Sequence, residues 1–122
     1  MLAYKTRLFS KWAIKEGVSD EVLSFSVKEM EQGLIDAALG ASLCKKRVAL
    51  AGGGKRGGVR TLVAFRKGDR AFFLCGFAKN VRSNISSKEE KALKLLGKTL
   101  FDMKPEEIGK AVGAGELIEL KE

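Results

Sequence analysis

The chain contains no histidine. That absence removes Ser-His-Asp hydrolysis, histidine-based zinc chemistry and the paired-histidine acid–base pattern of many ribonucleases. Any catalysis has to rest on carboxylates, Lys, Arg, Tyr, Ser or Cys. Cysteine is scarce as well: Cys44 and Cys75 stand far apart, with no metal-ligand spacing around either. They do not read as a zinc site, and are expected to be buried core thiols of a reducing cytosol. Long apolar runs are missing, so no transmembrane span is expected. The opening Met-Leu-Ala-Tyr-Lys-Thr-Arg-Leu-Phe lacks the apolar centre of a signal peptide, and a cytoplasmic location is expected. No repeat, low-complexity stretch or linker divides the sequence, so residues 1–122 read as one domain with one sizeable core.

Acidic residues are the minority charge. Fifteen Asp and Glu face 23 Lys and Arg, for a net charge of +8. The hydrophobic share of 45% fits a globular protein, so the excess charge sits on a folded surface. Phosphates are the usual target of such a balance, although an acidic protein partner satisfies the same electrostatics. The positive residues also cluster. Lys45-Lys46-Arg47 comes first, then the glycine-rich loop Gly-Gly-Gly-Lys-Arg-Gly-Gly-Val-Arg at 52–60, which carries Lys55, Arg56 and Arg60. Lys79 to Arg82 forms the third cluster. Glycine lets a backbone approach a ligand closely.

Periodicity places these clusters at strand ends. Residues 3–9 read as a first strand. Ser10 is expected to cap a short helix that Gly17 ends, and Ser19 or Asp20 opens a second. Leu23, Val27, Met30 and Leu34 recur at helical spacing as one buried stripe, and residues 37–40 read as a connection. Residues 42–50 form a strand with Leu43, Lys45 and Arg47 on one face and Cys44, Lys46 and Val48 on the other. Residues 59–65 and 71–78 are further strands, joined by a Lys67-Gly68-Asp69 turn; the second is apolar on both faces, as a covered central strand would be. Ser86-Ser87-Lys88-Glu89-Glu90 holds two overlapping capping boxes ahead of a helix to about Met103, with Ala92, Leu93, Leu96, Leu100 and Met103 facing the core. Pro105 suits the first turn of another helix, and residues 116–120 could be a last strand or an ordered tail. Three consecutive strands with hairpin-length connections predict an antiparallel meander packed under helices, an α+β architecture.

The glycine loop is not a P-loop. The Gly-x-x-x-x-Gly-Lys-Ser/Thr spacing is missing, and a strand follows where a helix should. The plain alternative is a hairpin whose glycines absorb twist and whose charges keep an edge soluble. Strand phase favours an anion site instead. Lys45 and Arg47 share a face, Arg60 is expected within one or two residues of their level, and Lys79 ends the next strand. Cations gathered on adjacent strands repel one another unless an anion joins them.

Lys-x-Arg-Val, then Gly-Lys-Arg-Gly-Gly-Val-Arg-Thr-Leu, Phe-Phe-Leu-x-Gly-Phe-Ala-Lys-Asn and Asn-Ile-Ser before a long helix, together resemble the RelE/HigB toxins of bacterial type II toxin–antitoxin systems. The likeness is densest from Lys45 to Ser86. It implies a compact barnase/RelE-like fold: a small antiparallel-dominated sheet packed under helices. It also implies messenger RNA cleavage in the ribosomal A site, without metal or cofactor, and a free monomer inhibited by an acidic antitoxin. Carried over residue by residue, the catalytic set is Lys45, Arg47, Arg60 and Lys79. Lys46, Lys55, Arg56, Asn80, Arg82 and Ser86 join them in RNA binding. Two departures mark this chain: Asn80 stands where better-studied members have an arginine, and Ser86 where they have a tyrosine.

RNA carries its own nucleophile, the 2′-hydroxyl. The protein has to align it, stabilise a pentavalent phosphorane and manage two protons. Arg60 is the best candidate for the nonbridging oxygens, because guanidinium binds phosphate bidentately. Crowded cations give up protons more readily, which makes Lys45 and Lys79 the proton-transfer candidates. The competing readings are a ParE-like toxin that blocks a topoisomerase, and a non-enzymatic nucleic-acid-binding regulator.

Overall fold

The computed structural model describes residues 1–50 and 58–120. One six-stranded sheet organises them, in the order β2-β3-β4-β5-β1-β6. Strand β1 is Leu2–Thr6, β2 Ala37–Gly40, β3 Leu43–Val48, β4 Val59–Phe65, β5 Arg70–Ala78 and β6 Leu117–Glu119. The expected meander is β3-β4-β5, antiparallel throughout. Strand β1 adds beside β5 in parallel, and β6 closes that edge antiparallel to β1. The sheet is thus antiparallel-dominated, and the fold is a small α+β one.

Helices cover both faces, which explains why β5 is apolar on both. Helices α1 (Arg7–Glu16) and α2 (Asp20–Glu31) bring Phe9, Ala13, Leu23, Val27 and Met30 against Cys44, Val48, Val63 and Phe73. Helices α3 (Ser87–Phe101) and α4 (Pro105–Gly113) bring Leu100, Phe101, Ile108 and Ala111 against Leu43, Leu62, Phe72 and Leu74. Each large side chain buried this way contributes about 1.5–3 kcal/mol. Among the described residues no helix is long and apolar enough to cross a membrane.

Several boundaries differ from the sequence expectation. The first strand stops at Thr6, whose hydroxyl accepts the Phe9 N–H at 3.1 Å and starts α1 four residues before Ser10. Starting there turns Phe9 into the core at 1% exposure. The stripe on α2 ends at Met30, because the helix closes at Glu31 and Gly33 takes a left-handed φ of 85°. Leu34 therefore lies beyond the helix and is half exposed. Residues 37–40 are a strand, not a connection. They satisfy the outer backbone groups of β3, with the Asp36 N–H donating to the Lys45 carbonyl at 2.9 Å. Of the two capping boxes only Ser86–Glu89 forms; Glu90 pairs with Lys94 instead. On α3 the buried residues are Gly97, Leu100 and Phe101, with Leu93 partly buried beside them, while Ala92 and Leu96 are exposed. Gly97 permits that rotation: a Cβ there would sit 3.1 Å from the Ala64 Cβ.

Candidate RNA-binding face

The pleat decides which basic residues meet. Arg47 on β3 is directly opposite Arg60 on β4, and Arg60 is opposite Phe77 on β5. One row further along, Lys45 aligns with Leu62 and Leu62 with Cys75. All of these lie on the α3 face of the sheet, at the end where β3 and β5 finish and β4 begins. Lys79 and Asn80 follow β5 directly, at the same end, and both are exposed.

Arg47 and Arg60 are like charges placed directly opposite each other on adjacent strands. The Arg47 N–H donates to the Asp36 carboxylate, away from β4. The pair is therefore a non-hydrogen-bonded one, the type whose Cα atoms lie only about 4.5 Å apart. The Arg47 side chain runs over Gly58, where a Cβ would stand 3.2 Å from its Nε and 3.3 Å from the Val48 carbonyl oxygen. A glycine at the end of the loop thus keeps room for the guanidinium. Among the described residues Lys45, Arg60 and Lys79 form no ion pair, so their charge is not spent inside the fold.

The remaining expected RNA contacts divide. Lys46 lies on the opposite face, buried at 7%, with Nζ 3.2 Å from Glu29 and 2.9 Å from the Leu34 carbonyl. It neutralises a carboxylate of α2 and does not join the other cations; the strand alternation that places Lys45 outward turns Lys46 inward. Ser86 is the N-cap of α3 and accepts the Glu89 N–H at 3.1 Å. Arg82 is engaged by Glu89 through both terminal nitrogens and stands 5.6 Å from the Phe77 ring centroid. The Arg82 hydrogen bonds, then the Ser86 N–H, hold the Glu89 carboxyl down at about 2. Lys55 and Arg56 lie outside the described residues.

Sequence reasoning missed Phe77 and Glu89. Phe77 sits beside Arg60 at 5% exposure and walls the basic row on the β5 side. Its signal was its phase: it stands two residues before Lys79, on the same side of a strand otherwise read only as apolar. Glu89 reads in the sequence as a helix cap, and in the fold it also holds Arg82.

Other nucleophiles are held out of play. Burial pushes the Cys44 thiol up to about 11, and burial with the Glu89 charge raises Cys75. Tyr4, the one tyrosine, is buried against Phe72 at 5.5 Å, with its hydroxyl raised first by burial and then by Glu119. Among the described residues no three acidic or cysteine side chains converge as a metal would need. A groove of about 710 Å³ opens on the α2 side, where Glu21, Glu29 and Asp36 line it together with Lys46 and Arg47. The face toward α3 can do something simpler: gather anions along one row of cations, with lysines at either side.

Comparison with known proteins agrees in extent with that architecture. A family model described as the RelE toxin of the RelE/RelB toxin–antitoxin system matches residues 1–120. No curated protein matches the chain.

Proposed function

From the premise that this chain belongs to the RelE toxin family, we propose that it is a ribosome-dependent endoribonuclease that cleaves messenger RNA. The observation that carries this reading is the row Arg47–Arg60, with Lys45 and Lys79 at its sides, on one sheet face. In this reaction the substrate 2′-oxygen attacks the adjacent phosphorus and the bond to the 5′-oxygen breaks. One lysine of the Lys45/Lys79 pair accepts the 2′-hydroxyl proton, and the other gives a proton to the departing 5′-oxygen. Arg60, with Arg47 beside it, holds the nonbridging oxygens as charge builds on the phosphorane. The products are a 2′,3′-cyclic phosphate and a 5′-hydroxyl.

The partners follow from the same surface. An acidic antitoxin is proposed to cover the face that carries Lys45, Arg47 and Arg60, which offsets their mutual repulsion and speeds association. The test is chemical: messages recovered from a reconstituted translation reaction are mapped for their new ends. Cyclic-phosphate and 5′-hydroxyl ends at codon-defined positions support the reading. Intact messages, with translation stalled or with DNA gyrase inhibited instead, overturn it.

A further inference from the structure

Lys79 sits in a turn whose two ends are tied. At its start the Val81 and Arg82 N–H groups donate to the Ala78 carbonyl at 3.0 and 3.2 Å. At its end the Arg82 Nε donates to the Asn84 carbonyl at 3.0 Å, and the Asn84 side chain accepts the Ile85 N–H at 2.9 Å. Ile85 then packs into the core beneath α3. Glu89 holds the whole assembly from the first turn of α3. It receives both terminal nitrogens of Arg82, one at 3.1 Å, and the Ser86 N–H at 2.9 Å. Arg82 thus spends three of its roughly five N–H donors inside the protein.

We propose that Arg82 is a positioning residue and not an RNA ligand: its clasp with Glu89 fixes the turn 79–85, and so fixes Lys79 relative to Arg60. The proposal rests on the ribonuclease reading above. A phosphate that took the two-pronged face of Arg82 would have to displace a bidentate carboxylate that the α3 N-terminus and the Ser86 N–H also hold in place. Lys79, in contrast, has no intramolecular partner among the described residues, and its aim depends on the turn that carries it. Displacing a proton-transfer group by about 1 Å costs on the order of a hundredfold in rate, so a fixed turn has a direct catalytic consequence.

Glu89→Gln separates the two roles, because they predict opposite signs. Glutamine keeps an oxygen for the Ser86 N–H, so α3 retains its cap, but it loses the charge that holds Arg82. If Arg82 positions, then Glu89→Gln and Arg82→Gln each lower kcat for cleavage on translating ribosomes by roughly tenfold to a hundredfold. KM stays near wild type, and the double variant is no worse than either single. The salt dependence of RNA binding keeps its slope. If Arg82 is a phosphate ligand, Glu89→Gln frees it and tightens binding, while Arg82→Gln reduces the salt slope by about one. That pattern overturns the proposal. Amide hydrogen exchange at 79–85 judges the clasp independently of catalysis. Faster exchange in both variants supports it, and unchanged exchange overturns it even if the wild type cuts no message, the result that instead defeats the ribonuclease reading.

Discussion

Arg47 and Arg60 face each other directly across β3 and β4. Like charges directly opposite on a sheet are destabilising by a few tenths to about 1 kcal/mol. Removing one should therefore relieve the fold while damaging the function. Arg60→Ala is expected to abolish growth inhibition, through a loss of roughly 2.7–4 kcal/mol of transition-state stabilisation. Its melting temperature should be equal to or above that of the wild type. Inducible expression beside a thermal melt checks both halves. A toxic variant, or a variant that loses activity only because it unfolds, would contradict the assignment.

Gly58 is expected to matter through Arg47. A methyl group there meets the Arg47 Nε at 3.2 Å and the Val48 carbonyl at 3.3 Å. The guanidinium can move and the carbonyl cannot, so Gly58→Ala should push Arg47 off the row. Cleavage should fall by about tenfold to a hundredfold with little change in melting temperature. Wild-type cleavage by soluble Gly58→Ala would show that the position of Arg47 is not needed.

On the reverse side of the sheet, Gly76 lies against Trp12. A Cβ on Gly76 would stand 2.2 Å from the indole Cζ3. Gly76→Ala overpacks this contact and should cost about 1–3 kcal/mol in stability. Trp12→Leu in the same chain should recover part of the loss, and denaturant melts of the two single variants and the double would show it. Additive destabilisation would mean that the indole is not the obstacle.

The glycine in Phe-Phe-Leu-x-Gly-Phe-Ala-Lys-Asn was legible as part of a resemblance, yet its physical reason was not, because Trp12 is 64 residues away in sequence. The same division runs through the fold. Local signals carried well: the α2 start at Ser19, the α3 cap by Ser86, the turn at Gly68 and the three-strand meander all follow from patterns within a few residues. Long-range pairing did not. Nothing near residues 37–40 announces a strand, since its only reason to exist is the open edge of β3. Of the site, strand phase placed Lys45 and Arg47 together and Lys46 apart, so including Lys46 with the RNA contacts set aside a distinction that the alternation already made. The Arg82–Glu89 pair spans seven residues and two elements, and neither period reveals it.

Acid should loosen the turn before it affects the core. The Glu89 carboxyl sits at about 2 in the folded chain, against an ordinary value near 4.5. A depressed carboxylate contributes stability that is complete above about pH 4.5 and is lost as pH falls toward about 2. Glu89→Gln should therefore remove part of the acid-induced destabilisation in that window and leave the pH dependence above it unchanged. Urea melts from pH 2 to 6 on both proteins provide the check. Parallel curves would show that the clasp contributes nothing to folding.

The most direct measurement of the central claim compares one message with and without ribosomes. The free protein has no histidine, its one tyrosine is in the core, and Asn80 and Ser86 stand at the two departures from the better-studied pattern. Its cationic row can hold phosphate but supplies few proton-transfer groups. A ribosome that presents the message bent for in-line attack would supply the missing alignment. Purified protein should leave naked RNA largely intact and cut the same RNA during translation, with Arg60→Ala inactive in both settings. Equal cleavage rates with and without ribosomes would contradict the account and assign the whole reaction to the Lys/Arg row alone.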